Sequence, residues 1–145
     1  MKILLDTEII MDILCDSPNR EESLLLIKTA LEKKRVELIV PPTAIHDIAK
    51  KGMEAFKNPI KVYEIFDHLR MIFTFYGMND HEIEDAIREE ISNRKVNYLS
   101  GTFHPNKFDY VVSRDARAHA SDIAYVLPPS QATWKIIQES RLWNA

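Results

Sequence analysis

Met1-Lys2-Ile3-Leu4-Leu5-Asp6-Thr7-Glu8-Ile9-Ile10-Met11-Asp12 is the stretch on which the reading of this chain turns. An apolar run, Ile3 to Leu5, stops at a carboxylate, and a second apolar run at helical spacing begins at once. That pattern predicts a strand, a charged loop at its carboxyl end, and a short helix over residues 8–14. Open α/β sheets place ligand sites at the carboxyl ends of their strands. The question for the remaining residues is whether further carboxylates gather at that edge.

Working outward, the same alternation recurs. Asp16-Ser17-Pro18-Asn19 breaks the chain, and Ser17 or Asn19 is expected to cap a helix over 21–34, with Leu24, Leu25, Ile27, Ala30 and Leu31 as its apolar stripe. Val36 to Val40 reads as a second strand, ended by Pro41-Pro42. A helical stretch from Thr43 follows, closed by Gly52 in the usual C-terminal position. Asn58-Pro59 opens a helix to about Met71, with Val62, Ile65, Phe66 and Leu69 inward. Residues 72–76 are a third strand, and Asp80 is expected to cap a helix over 81–92. Residues 93–107 read as a loop, with or without a short helix. Strands over 108–112 and 123–127 and a helix over 130–140, with Ala132, Ile136 and Ile137 inward, complete the chain.

Strands alternating with helices imply parallel pairing through crossovers. The expected fold is a three-layer α/β/α sandwich with a mostly parallel sheet of about five strands, as one domain over residues 1–145. A 46% hydrophobic chain is able to bury a core, and 28% charged residues argue against wholesale disorder. The net charge of −3 carries no nucleic-acid footprint in the sum, although an acidic metal site would mask basic patches. A single cysteine, Cys15, excludes an intrachain disulfide and is expected as a small core residue. No signal peptide and no run near the roughly 18 apolar residues of a membrane span are visible, so a cytoplasmic protein is expected. Trp134 and Trp143 read as packing or interface residues.

Acidic residues follow each of the first four strands: Asp6, then Asp47, then Asp80, Glu82, Glu84 and Asp85, then Asp115. In a parallel sheet those ends share one edge. Gathered carboxylates repel unless a cation lies among them, and oxygen-only ligands suit Mg²⁺ or Mn²⁺. Helix capping and the helix dipole also place acids at these points, so spacing alone leaves both readings open.

Ile-Leu-Leu-Asp-Thr-Glu-Ile-Ile-Met-Asp-Ile-Leu resembles the opening of PIN domains, in which Asp-Thr, usually followed by Asn, leads into an apolar helix carrying a second Asp. Val111-Val112-Ser113-Arg114-Asp115 resembles their fourth-strand motif, and Tyr-Val-Leu-Pro-Pro-Ser-Gln-Ala their closing strand and helix. The resemblance implies a Mg²⁺- or Mn²⁺-dependent ribonuclease, many relatives of which are toxins held by an antitoxin. By motif, Asp6 becomes the first metal ligand and Asp115 the last, supported by the hydroxyls of Thr7 and Ser113. Asp47 matches the family's second acid, usually a Glu one methylene longer; His46 beside it reads as a surface histidine. Asp85 in Ile-Glu-Asp-Ala-Ile matches the third, with Glu82 and Glu84 as alternates. An alternative alignment moves that motif into 93–107, where no acid stands, and leaves three carboxylates. Glu8 takes the place where the family has Asn.

The leading expectation is therefore an endoribonuclease in which Asp6, Asp47, Asp85 and Asp115 hold the metal and water attacks the phosphodiester in line. Lys50, Lys51, Arg88, Arg94, Lys95, Lys107, Arg114 and Arg117 are candidate phosphate contacts, with Arg114 first because it sits inside the motif. RNA, an antitoxin and a second copy of the chain are the expected partners, with no membrane. The rival is a degenerate PIN-like module that binds RNA or protein without cleaving. A phosphatase-like or receiver-like domain ranks below both, since no lysine directly follows Val112 or Leu127.

Overall fold

The computed structural model describes residues 1–92, 108–115 and 125–143. The chain is α/β, with one five-stranded sheet and six helices among the described residues, consistent with the expected three-layer α/β/α arrangement. The strands are β1 (Lys2–Leu5), β2 (Glu37–Val40), β3 (Thr74–Phe75), β4 (Tyr110–Val112) and β5 (Val126–Leu127). The helices are α1 (Thr7–Leu14), α2 (Arg20–Leu31), α3 (Thr43–Phe56), α4 (Pro59–Ile72), α5 (Asp80–Ile91) and α6 (Pro129–Trp143).

The sheet order is β3-β2-β1-β4-β5. β1 is parallel to β2, with Ile3 opposite Leu38, and parallel to β4, with Leu4 opposite Val111. β4 is parallel to β5, with Val112 opposite Leu127. Three consecutive residues are buried in both β1 and β2, the continuous apolar pattern of strands covered on both faces.

The chain divides into two compact units, Met1–Ile39 with His104–Ala145, and Val40–Phe103. In the first, α2 packs on α1 and α6, and α6 on β4. Its fully buried apolar residues include Ile3, Leu5, Ile9, Ile10, Leu26, Val112 and Ile136. Glu22 on α2 accepts a hydrogen bond from the Ser130 N–H in the first turn of α6 (3.2 Å), one of the amides that a helix start leaves unpaired. In the second unit α3 packs on α4 and α5 around Ile45, Ile48, Val62 and Phe66. No helix among the described residues is long and apolar enough to cross a membrane.

Several local expectations are corrected. Gly52 does not close α3: the helix runs on to Phe56, and Lys57 takes the left-handed cap position at φ 52°. Gly52 is instead the point where α3 meets α4, since a Cβ there would lie 2.9 Å from Val62 Cγ2. On α2 the buried residues are Ser23, Leu26, Ile27, Thr29 and Ala30, whereas Leu25 and Leu31 are exposed. Asn19 occupies the cap position of α2 without a side-chain cap bond. Asn79, not Asp80, caps α5, in a reciprocal capping box with Glu82. Residue 72 belongs to α4, so β3 is shorter than the apolar run. β4 starts at Tyr110 because the Lys2 N–H is taken by the Asp109 carboxylate (2.7 Å). On α6 Thr133 is buried and Ile137 is exposed. Trp134 is exposed, so of its two expected roles only packing within the chain is set aside, and Cys15 is only half-buried at the end of α1. The readings of 93–107 and of the start of the fifth strand at 123–124 lie outside the described residues, as do Arg94, Lys95, Lys107 and Arg117.

Candidate active site

β1 has β2 on one side and β4 on the other, and the chain leaves β1 toward β2 before returning on the opposite side. The gap between the carboxyl ends of β1 and β4 is therefore the topological switch point, the place where open α/β sheets bind ligands. Asp6 stands at the end of β1, and Ser113-Arg114-Asp115 at the end of β4. The Asp6 N–H donates to the Val112 carbonyl (2.9 Å), which carries the ladder to that edge.

Asp6 is the N-cap residue of α1 with extended backbone, yet its carboxylate makes no cap bond to its own helix. It turns to the neighbouring strand and accepts from the Ser113 hydroxyl (2.9 Å). The same Ser113 oxygen accepts from the Asp115 N–H (3.0 Å), and the Ser113 N–H donates to the Leu127 carbonyl (3.0 Å). A hydroxyl has one proton to give and lone pairs to receive, so one buried oxygen joins both motif aspartates. Thr7, half-buried, opens α1. Glu8, one residue further, accepts from the Arg114 N–H (2.6 Å).

Behind this edge lies a second polar layer. Asp12 on α1 is buried, and its carboxylate accepts from Ser17 Oγ (2.8 Å), Ser23 Oγ (2.8 Å) and the Arg114 guanidinium. Arg114 also donates to Glu22 (3.2 Å) and Ser23 Oγ (3.0 Å). Burial pushes the Asp12 carboxyl up, but the bonds from Ser23, Arg114 and Ser17 outweigh it and hold the group below the usual carboxylate range. Burial likewise opposes the charge of Arg114, and Asp12 and Glu22 overcome it, raising the guanidinium above its ordinary value. The guanidinium that the motif reading assigns to substrate is thus engaged by the protein's own carboxylates.

The other sequence-derived acids belong to the second unit. Asp47 is exposed on α3, next to His46, whose Nδ1 pairs with Glu90 (2.8 Å). Asp85 on α5 pairs with His81 (3.2 Å) and Arg88 (3.1 Å). Of its alternates, Glu82 is used in the capping box and Glu84 pairs with Arg70 (3.5 Å). The hydrogen-bonded group at the switch point is therefore Asp6, Glu8, Ser113, Arg114 and Asp115. Among the described residues no group of three or more His, Cys, Asp or Glu side chains is gathered closely enough to hold a metal by itself. Mg²⁺ keeps most of its waters and commonly takes one or two carboxylates plus substrate phosphates, so an Asp6–Asp115 pair with hydroxyl support fits that ion in donor chemistry.

The second layer was missed at the level of sequence. Its signal was present: Asp12 falls between apolar residues on a helix whose Ile9 and Ile10 are buried, and a buried carboxylate needs a partner. No known protein family, curated protein or solved structure matches this chain.

Proposed function

We propose that the chain is a PIN-like, Mg²⁺- or Mn²⁺-dependent endoribonuclease whose site lies at the switch point between β1 and β4. The observation that carries this reading is the single Ser113 hydroxyl that joins Asp6 to the backbone of Asp115 where ligands bind in folds of this class. The resemblance of the first and fourth strand motifs to PIN domains supports the same assignment.

In this reading Asp6 and Asp115 would hold the ion through oxygen, and Glu8 would add negative charge beside them. A divalent ion bound there would supply Lewis acidity toward the phosphodiester and would activate water for attack. Ser113 keeps the Asp6 carboxylate turned toward β4, and Glu8 anchors the turn that carries Asp115. Hydrolysis adds water across one P–O bond and releases one phosphomonoester end and one hydroxyl end. Asp47 and Asp85 enter on the motif resemblance, as the second and third acids. A toxin role with an antitoxin partner follows from the same resemblance and predicts a small antitoxin gene encoded alongside.

The test is Mn²⁺ titration and RNA cleavage by the full chain. Binding at up to about millimolar Mn²⁺ and cleavage that Asp6→Asn lowers at least about 100-fold are expected. A folded chain that neither binds Mn²⁺ nor cleaves in an Asp6-dependent way overturns the enzyme reading and leaves the non-cleaving module.

A further inference from the structure

The residue best placed by motif to touch RNA has little freedom to do so. The Arg114 side chain is 21% exposed and that of Asp12 11%. A phosphate-binding arginine offers an unpaired fork to solvent. Here one terminal nitrogen is bonded to Asp12 and the other to Glu22 and Ser23. One cation faces two carboxylates, so the group keeps a net negative charge and repels a phosphate. The backbone of the same residue is also held, its N–H donating to Glu8 on α1. The turn over residues 113–115 is thus fastened through Arg114 twice, by its backbone to α1 and by its side chain to α1 and α2.

We infer that Arg114 is a positioning residue: the Asp12–Arg114–Glu22 bridge, with Glu8 on the Arg114 amide, fixes the turn that presents Asp115 beside Asp6. The effect on metal and RNA rests on the ribonuclease reading; the effect on the turn does not. Arg114 acts through the backbone that follows it, and RNA phosphates are contacted by other cations. Lysine cannot replace it, because a point charge does not span two carboxylates and a hydroxyl.

The experiment uses the full chain with Arg114→Met and Arg114→Lys. Amide hydrogen exchange is read at residues 114 and 115 without metal, followed by Mn²⁺ affinity and the kinetics of RNA cleavage. Positioning predicts that both variants speed exchange at these two amides by at least about tenfold, with the β1 amides unchanged. It also predicts about tenfold weaker Mn²⁺ binding and a fall in kcat, with KM for RNA constant within about twofold. Wild-type exchange at both amides overturns the inference, as does a raised KM that Arg114→Lys restores. If the wild-type chain binds no Mn²⁺, the ribonuclease reading fails while exchange still decides the role of Arg114. Should both variants fail to fold, Glu22→Gln opens the half-exposed arm of the bridge alone. A smaller, about threefold, increase at the Arg114 amide then supports the inference, and no change overturns it.

Discussion

Replacing Asp12 by Asn keeps the shape of the side chain and removes the charge that Arg114 and two serines address. Breaking a buried ion pair from one side costs about 3–5 kcal/mol, because the remaining charge is left without compensation. Arg114 keeps Glu22 and some exposure, which places this case lower, at about 2–3 kcal/mol. With a urea slope of about 1.5 kcal/mol per molar, the midpoint should fall by about 1.3–2 M. Tryptophan fluorescence is the suitable signal, since Trp134 and Trp143 both lie on α6, in the same unit as Asp12. The pH dependence supplies a second check. The carboxyl of Asp12 is depressed in the folded chain, so its contribution is present above its unfolded pKa of about 3.9 and is lost as pH falls through the folded value. The gap between wild type and variant should stay level from about pH 7 to 5 and close below about pH 4. A midpoint shift under about 0.3 M at neutral pH, or a gap of equal size at about pH 3, would refute the reasoning.

Gly52→Ala sets a helix-propensity gain of about 1 kcal/mol against overpacking of about 1–3 kcal/mol at Val62, so a net loss of about 1 kcal/mol is expected. In a double-mutant cycle with Val62→Ala the pair should couple by about 1 kcal/mol or more; additivity would remove the close approach of α3 and α4. Tyr110 donates to Glu139, and burial first, then that carboxylate, push its phenol up to about 12. Absorbance titration should show one tyrosine ionising late. Its neutral form contributes stability that is complete below about pH 10 and is lost as pH rises through the folded value, a loss Tyr110→Phe should lack.

The order of elements was legible because parallel strands buried on both faces leave unbroken apolar runs, as in Ile3–Leu5 and Leu38–Val40. Asp6 and Asp115 were legible because a strand followed by a carboxylate is a local pattern. What failed was nonlocal. Gly52 looks like a helix stop until α4 is laid against it, and only then is its missing side chain a packing requirement. Leu25 and Leu26 are indistinguishable by composition, and only the packing of α2 in the fold buries one and exposes the other. Asn79 outcompeted Asp80 as a cap because Glu82 stands three residues after it and completes a reciprocal pair. Arg114 read as a free cation because its partners, Asp12 and Glu22, lie near the other end of the sequence.

Glu22 spends its two oxygens on different clients, one on the Arg114 guanidinium and the other on the first turn of α6. The carboxylate is thereby a mechanical joint. Both contacts are anchored from α2, so loss of this one side chain would take a counterion from Arg114 and an acceptor from the start of α6 together. Removing that carboxylate should therefore speed amide exchange at both segments, which lie more than a dozen residues apart along the chain.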